Sequence, residues 1–123
     1  MATAVRDYKD LQVWQKGMEL AKEVYGLTRK FPSDEKFSLV SQMRRAAVSV
    51  PSNVAEGQAR NTTGEFIQFI SHAQGSLAEL DTQCRLAVAL RFCKPSDAEV
   101  LGSLITDIQK MLNGLRRKLV TNH

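Results

Sequence analysis

A proline lies inside a segment whose spacing otherwise predicts a helix, at Pro51 within residues 42–57. An interior proline removes one backbone hydrogen-bond donor and crowds the carbonyl of Ala47, at a cost of about 3 kcal/mol or more. A helix that restarted at Pro51 would have Val50 as its cap, and valine is among the poorest capping residues. The sequence therefore predicts one continuous helix, kinked at Pro51, in which packing, a partner or Ser49 compensates for the lost hydrogen bond.

Two faces of this helix differ in polarity. Apolar or small residues recur on one face at three- and four-residue steps: Met43, Ala47, Val50 and Val54. Polar residues recur on another face: Gln42, Arg45, Ser49, Asn53 and Glu56. A similar polar series follows later in the chain: Ser76, Glu79 and Gln83. We interpret the two polar series as a structural, hydrogen-bonded seam between two helices.

The charged members of the seam predict its chemistry. Arg45 beside a glutamate predicts a buried or interfacial ion pair, which specifies partner choice better than it adds stability. Arg45→Ala should then destabilise the protein more than Arg116→Ala, because a stranded buried charge costs about 3–5 kcal/mol. No histidine or lysine in either series can activate Ser49 or Ser76, so we predict that the protein is not an enzyme. No Glu-x-x-His motif occurs, and we predict neither a metal nor a cofactor.

Helical periodicity extends through the chain, and no alternating segment indicates a strand. The predicted helices span residues of about 10–30, 34–57, 63–92 and 97–120. Short connections between them favour an all-α, antiparallel, up-down-up-down four-helix bundle. The 123 residues suit one such domain, residues 1–123. Trp14 and Tyr25 lie on the apolar stripe of the first helix and are predicted to be core residues.

Turn and capping residues predict where these helices begin and end. Phe31-Pro32 and Lys94-Pro95 end the first and third helices, and Gly57 suits a left-handed turn after the second. Two capping boxes predict the starts of the third and fourth helices: Thr62 with Glu65, and Ser96 with Glu99.

Composition bears on location and on metal binding. No apolar run approaches the roughly 20 residues of a membrane span, and the first nine residues lack the apolar stretch of a secretory signal. We therefore expect no membrane contact and a cytoplasmic location. Cys84 and Cys93 would lie on opposite sides of a helix, so we interpret them as buried, reduced thiols. No spacing of cysteine or histidine typical of a zinc site occurs.

Positive charge is concentrated towards the C-terminus. The formal net charge is +4, and no acidic residue follows Asp107. Complementarity to the helix dipole explains such a cluster, and so does binding to phosphate. No exposed aromatic platform for base stacking is expected, so contact should be mainly to phosphate and independent of sequence. The predicted nucleic-acid contacts are Arg116, Arg117 and Lys118, with help from Arg44, Arg60 and Arg91.

Several segments of the chain resemble one known family. They are residues 44–57, Asp10-Leu11-x-Val13-Trp14, Phe31-Pro32 and Ala73-x-x-Ser76-Leu77-x-Glu79-Leu80. Together they resemble the bacterial four-helix bundle family encoded in intervening sequences of large-subunit ribosomal RNA genes, to which the accessory protein of diversity-generating retroelements is related. The resemblance implies an antiparallel bundle that assembles into a ring-shaped homopentamer. In the retroelement branch it implies nucleic acid or a reverse transcriptase as the partner.

The leading hypothesis is a non-enzymatic, oligomeric bundle with a basic surface repeated by symmetry. That surface would bind RNA, DNA or a nucleic-acid enzyme such as a reverse transcriptase. The alternative is a structural or protein-protein adaptor without nucleic-acid binding. A small hydrolase or metal enzyme is a third class, which bound metal or turnover would reveal.

Overall fold

The computed structural model describes residues 7–121, and these form four long helices without a strand. The prediction of an all-α, four-helix protein is confirmed. The elements in chain order are a 3₁₀ helix at Tyr8–Asp10, α1 (Gln12–Thr28), a 3₁₀ helix at Ser33–Glu35, α2 (Leu39–Gln58), α3 (Thr63–Ala89) and α4 (Pro95–Thr121). None of the helices in this part of the chain is both long and apolar enough to cross a membrane.

The four helices pack as a bundle in which α1 and α3 each lie against both α2 and α4. Contacts between α1 and α2 pair Gly17 with Pro51 and Thr28 with Arg44, the order that antiparallel neighbours give. The complete up-down-up-down path stays a prediction. Burial of each large aliphatic side chain contributes about 1.5–3 kcal/mol to folding. The largest fully buried side chains are Leu20, Val24, Met43, Val50, Val54, Ile70, Leu77, Leu80, Leu101, Ile108 and Leu112.

The interior proline of α2 is accommodated by close packing against a glycine. Helix α2 continues through Pro51, as predicted, and Pro51 is buried. Gly17 of α1 is buried as well, and a Cβ atom at Gly17 would lie only 3.2 Å from the Cβ of Pro51. Among the described residues Ser49 makes no hydrogen bond to the carbonyl of Ala47, and its hydroxyl oxygen accepts from Asn53 and from Ser76 of α3. Packing of Pro51 against Gly17 therefore compensates for the backbone hydrogen bond that α2 loses at the proline, and a kink at Pro51 stays a prediction.

The face that α1 turns to the core differs from the predicted one. Its buried residues are Val13, Gly17, Leu20, Ala21, Val24 and Thr28. The side chain of Trp14 is half-buried, and Tyr25 is 39% exposed, so the assignment of Tyr25 to the core is wrong. The physical reason is the close approach of α1 to Pro51, which directs the side of α1 centred on Gly17 inward.

Two predicted helix boundaries are wrong. Helix α2 begins at Leu39, since Ser33–Glu35 forms a separate 3₁₀ helix. The carboxylate of Glu35 accepts a hydrogen bond from the backbone N–H of Leu39 at 3.5 Å. Helix α3 ends at Ala89 rather than near residue 92, because Arg91 adopts a φ of 62° and reverses the chain.

The capping predictions have different outcomes. Thr62 accepts a hydrogen bond from the backbone N–H of Glu65 at 3.1 Å and donates one to its carboxylate at 2.9 Å, which confirms the first capping box. The second box is wrong. Helix α4 begins at Pro95, whose ring suits the first helical position, and Asp97 accepts from the backbone N–H of Lys94 at 3.0 Å.

Gly57 does not form the predicted left-handed turn, so that prediction is wrong. It is buried inside α2, its φ is not positive, and the helix continues to Gln58. A Cβ atom there would lie 2.9 Å from the Cβ of Phe69 on α3, so glycine allows α2 and α3 to approach closely.

Candidate nucleic-acid interface

Three members of the polar seam form a connected hydrogen-bond network between α2 and α3. Ser76 donates from its hydroxyl to Ser49 at 3.0 Å. Asn53 donates from its amide to the Ser49 hydroxyl at 2.9 Å and to the Ser49 carbonyl at 2.8 Å. All three side chains are partly buried, so the network holds the two helices in register.

The other members of the seam lie at its margin. Four of them are exposed or partly exposed there: Gln42, Arg45, Glu56 and Glu79. Glu56 pairs with Arg60 of its own helix at 3.4 Å. Arg45 makes no ion pair within residues 7–121. The prediction of a buried ion pair between Arg45 and a glutamate of the same chain is therefore wrong, and an interfacial pair with another chain stays a prediction. The physical reason is that Arg45 is exposed and lies in a surface groove that no acidic side chain of residues 7–121 lines.

Gln83 is the buried member of the polar series. It is 6% exposed, and its side-chain oxygen has no hydrogen-bond partner among the described residues. A buried, unpaired acceptor costs about 1–3 kcal/mol.

The seam does not have the arrangement of an acid-base or metal site. The Ser49 hydroxyl accepts from Ser76 and from Asn53, and no described histidine or lysine donates to or accepts from either serine hydroxyl. Within residues 7–121, no three His, Cys, Asp or Glu side chains lie close enough together to hold a metal ion.

The six predicted phosphate contacts do not form one patch. Arg44 lies beside Thr28 at the end of α1, whereas Arg117 and Lys118 lie beside Leu11 and Gln12 at its start. These two places are about 24 Å apart along α1. Arg60 is engaged with Glu56 and stacks on the ring of Phe69, at 4.8 Å from its centroid. Arg91 is exposed in the connection between α3 and α4.

Arg116 differs in its contacts from Arg117 and Lys118, the two basic residues that follow it in sequence. Its guanidinium donates hydrogen bonds to Ser71 at 3.0 Å and to the side-chain oxygen of Gln74, both on α3. Gln74 also bonds to Asn113 at 2.8 Å. Arg116 therefore belongs to the polar contact between α3 and α4 rather than to a free basic surface.

Arg117 and Lys118 line a groove between the start of α1 and the end of α4, which we call the α4 groove. Its volume is about 710 Å³, its lining includes Leu11, Val13 and Leu115, and none of the described residues that line it is acidic. Both cationic side chains are exposed and make no ion pair within the described part of the chain.

A second basic groove follows the outer face of α2, and sequence reasoning missed it. We call it the α2 groove. Its volume is about 620 Å³, and within residues 7–121 no acidic side chain lines it. Residues that carry its chemistry are Tyr25, Lys36, Phe37, Arg44, Arg45 and Val48. The sequence signal that was overlooked is an aromatic residue directly after a lysine in the turn before α2.

The residue at which α3 ends determines where the two cysteines lie. Because α3 ends at Ala89, Cys93 lies in the connection that follows, and the prediction that both cysteines lie on opposite sides of one helix is wrong. Cys84 is buried, and Cys93 is partly buried. Burial raises the pKa of Cys84 to about 12, with smaller contributions from the negative charges of Cys93 and Asp81. Burial also raises the pKa of Cys93.

Comparisons with known proteins agree with this architecture. A family model described as 23S rRNA-intervening sequence protein matches residues 9–114. The chain is also similar to a solved structure from Bacteroides thetaiotaomicron, described as a protein of unknown function from the S23 ribosomal protein family. The two are 21% identical, with a TM-score of 0.78, over 85% of this chain and 97% of that one, a likeness that shows the fold alone. No curated protein matches the chain.

Proposed function

The chain belongs to the family of 23S rRNA-intervening sequence proteins, and we propose that it is a non-enzymatic, oligomeric bundle that binds nucleic acid through basic surface. The α4 groove is the observation that carries this proposal. Two exposed cations there have no acidic neighbour among the described residues of the groove, so their charge is available to phosphate. Arginine and lysine at such a site contact the backbone rather than the base edges, so binding is independent of sequence.

Assembly of several chains strengthens this proposal. A ring would repeat Arg117 and Lys118 once per subunit, and five is the number of subunits that the family resemblance implies. Each phosphate that is neutralised releases counterions, so a modest patch on one chain becomes a strong binding surface when it is repeated. A monomer in sedimentation at micromolar concentration would contradict the assembly.

The test is a salt-dependent binding measurement. Fluorescence anisotropy with a labelled duplex and with oligo(dT) of the same length, at about 50 and 200 mM salt, gives the slope of log Kd against log salt. Replacing Arg117 and Lys118 by glutamine should weaken binding to both probes. The slope should fall by about 0.9 for each duplex phosphate, and by about 0.7 for each single-strand phosphate, that the variant no longer neutralises.

A matched control removes the same charge elsewhere. Lys22 and Arg29 are exposed on and just after α1, and within the described residues neither makes an ion pair. Their double replacement by glutamine should leave the slope nearly unchanged. Equal loss in both double variants would show that net charge, and not the α4 groove, is responsible. No binding by the parent protein at low salt would contradict the proposal.

An adaptor function is the second candidate, and it also rests on a specific surface. Leu86 and Leu90 are 47% and 49% exposed, and their four-residue spacing places them on one side of the end of α3. Such a pair suits a contact with a protein. A reverse transcriptase or another nucleic-acid enzyme belongs to this candidate. Loss of a protein complex in Leu86→Ser, with nucleic-acid binding absent from the parent protein, would favour it.

A further inference from the structure

We propose that the α2 groove binds single-stranded nucleic acid, with a base stacked on Phe37 and phosphates held by Lys36, Arg44 and Arg45. This inference rests on the proposed function and adds to it a second site and a strand preference. It starts from a combination on one surface, an exposed aromatic ring, Phe37, among three cations.

The aromatic rings of this groove are accessible to a ligand. Phe37 is 89% exposed in the turn between Ser33–Glu35 and α2, and Tyr25 is 39% exposed on α1. The ammonium group of Lys36 lies 5.5 Å from the centroid of the Phe37 ring. An aromatic face with a cation beside it suits a nucleotide, because the base stacks on the ring and its phosphate meets the charge.

The charges of the groove are not neutralised by the chain. Three cations line it without any acidic residue, and none of them forms an ion pair within residues 7–121. The groove is therefore complementary to an anionic chain.

Arg44 is held in place for such a contact. Its Nε donates to the Thr28 hydroxyl at 2.9 Å, and its guanidinium carbon lies 4.4 Å from the centroid of the Tyr25 ring. Its two terminal nitrogens make no hydrogen bond to the described residues, which leaves the outer edge of the guanidinium available for two parallel hydrogen bonds to a phosphate. Thr28 and Tyr25 thus fix the orientation of this arginine before a ligand binds.

The strand preference follows from base accessibility. In a duplex the base faces are stacked on one another and cannot reach Phe37, whereas a single strand can turn a base out onto this ring. Base stacking and phosphate contacts are common to RNA and DNA, so single strands of both should bind.

The test compares oligo(U), oligo(dT) and a duplex of equal length by fluorescence anisotropy with the full-length protein. Phe37→Ala should weaken binding of both single strands about tenfold or more, because stacking on one aromatic ring contributes that much per base. Duplex affinity should change less than twofold, and the salt slope should not change, since every cation that meets a phosphate is still present. Phe37→Trp should restore single-strand binding.

Lys36→Gln and Arg45→Gln should change the salt dependence of single-strand binding, which Phe37→Ala should leave unchanged. Each should lower the single-strand salt slope by about 0.7, because one phosphate is no longer neutralised, without removing the effect of Phe37→Ala. Lys22→Gln is the control for charge, and Leu86→Ala is the control for loss of an exposed apolar side chain. Both should bind the single strands as the parent protein does.

Three outcomes would overturn the inference. Equal weakening of duplex and single strands in Phe37→Ala would show that no base stacks there. Unchanged binding in Phe37→Ala, with the Arg117 and Lys118 variants still weakened, would reject the α2 groove and leave the proposed function intact. A smaller assembly in Phe37→Ala by sedimentation, with single-strand affinity unchanged, would show that a second copy of the chain covers this face.

Discussion

The ring of Pro51 in α2 lies directly against Gly17 in α1, where a Cβ atom on the glycine would be 3.2 Å from the proline Cβ and 3.3 Å from its backbone nitrogen. This contact lets two helices approach at the position where α2 has lost a backbone donor. The side of α1 that carries Gly17 is buried as a result, and Tyr25 is left at the surface.

Gly17→Ala should lower the free energy of unfolding by about 1 kcal/mol. The added methyl group would press on a rigid ring that cannot rotate away, and overpacking of this kind costs about 1–3 kcal/mol, more than the helix propensity that alanine gains. The matched control is Gly26→Ala in the same helix, which has no atom within 4 Å of the new Cβ. That variant should be more stable by about 0.5–1 kcal/mol. Urea denaturation measures both, and equal stabilisation of the two variants would contradict the role assigned to the contact.

Ser49→Ala should destabilise the protein by about 1–2 kcal/mol. The substitution leaves Asn53 and Ser76 partly buried without their shared partner. A double-mutant cycle of Ser49→Ala with Ser76→Ala should give a coupling energy of about 0.5–1.5 kcal/mol. Ser103→Ala on the exposed side of α4 is the control and should stay within about 0.5 kcal/mol of the parent protein. A coupling energy of zero would show that the 3.0 Å contact adds nothing to stability.

Arg116→Ala should cost about 1–2 kcal/mol, since it removes the hydrogen bonds to Ser71 and Gln74 that join α4 to α3. Arg117→Ala, one position later and exposed, should change stability by less than about 0.5 kcal/mol. Arg45→Ala should also have a small effect on the fold, the reverse of what the sequence predicts. Thermal unfolding of the three variants tests this order, and a larger loss for Arg45→Ala than for Arg116→Ala would show that Arg45 is buried in the assembly.

Stability should fall as the pH rises above about 8.5, where Cys84 ionises in the unfolded chain. The folded protein keeps this thiol protonated because burial raises its pKa to about 12, so the unfolded state releases the proton first. The destabilisation is absent below about pH 8.5 and grows as the pH rises towards the folded pKa, with a loss of roughly 2 kcal/mol between about pH 7.5 and 10. Denaturation at these two values measures it.

Cys84→Ala should remove that part of the pH dependence while it lowers stability at every pH through lost packing.

In the parent protein at about pH 8, Cys93 should react with iodoacetamide well before Cys84, because Cys93 is less buried. Mass spectrometry of the labelled peptides shows the order, and equal rates would contradict the burial of Cys84.

Local signals in the sequence determined the helices and several of their ends. The helical period and the capping box of Thr62 with Glu65 act over three or four residues, so they can be recognised without a tertiary fold. The continuity of α2 through Pro51 was also predictable, because Val50 is a poor cap.

Only the tertiary structure decided which residues of those helices are buried, bonded or free. The Arg44–Thr28 contact joins residues 16 apart in sequence and the Arg116–Ser71 contact joins residues 45 apart, and spacing on one helix carries no information about the side chain that a neighbouring helix presents. For that reason Arg116 belongs to the α3–α4 packing and Arg45 is exposed, although no local pattern distinguishes the two arginines. The pair Lys36-Phe37 is visible in the sequence, but only the fold brings Arg44 and Arg45 into the same groove.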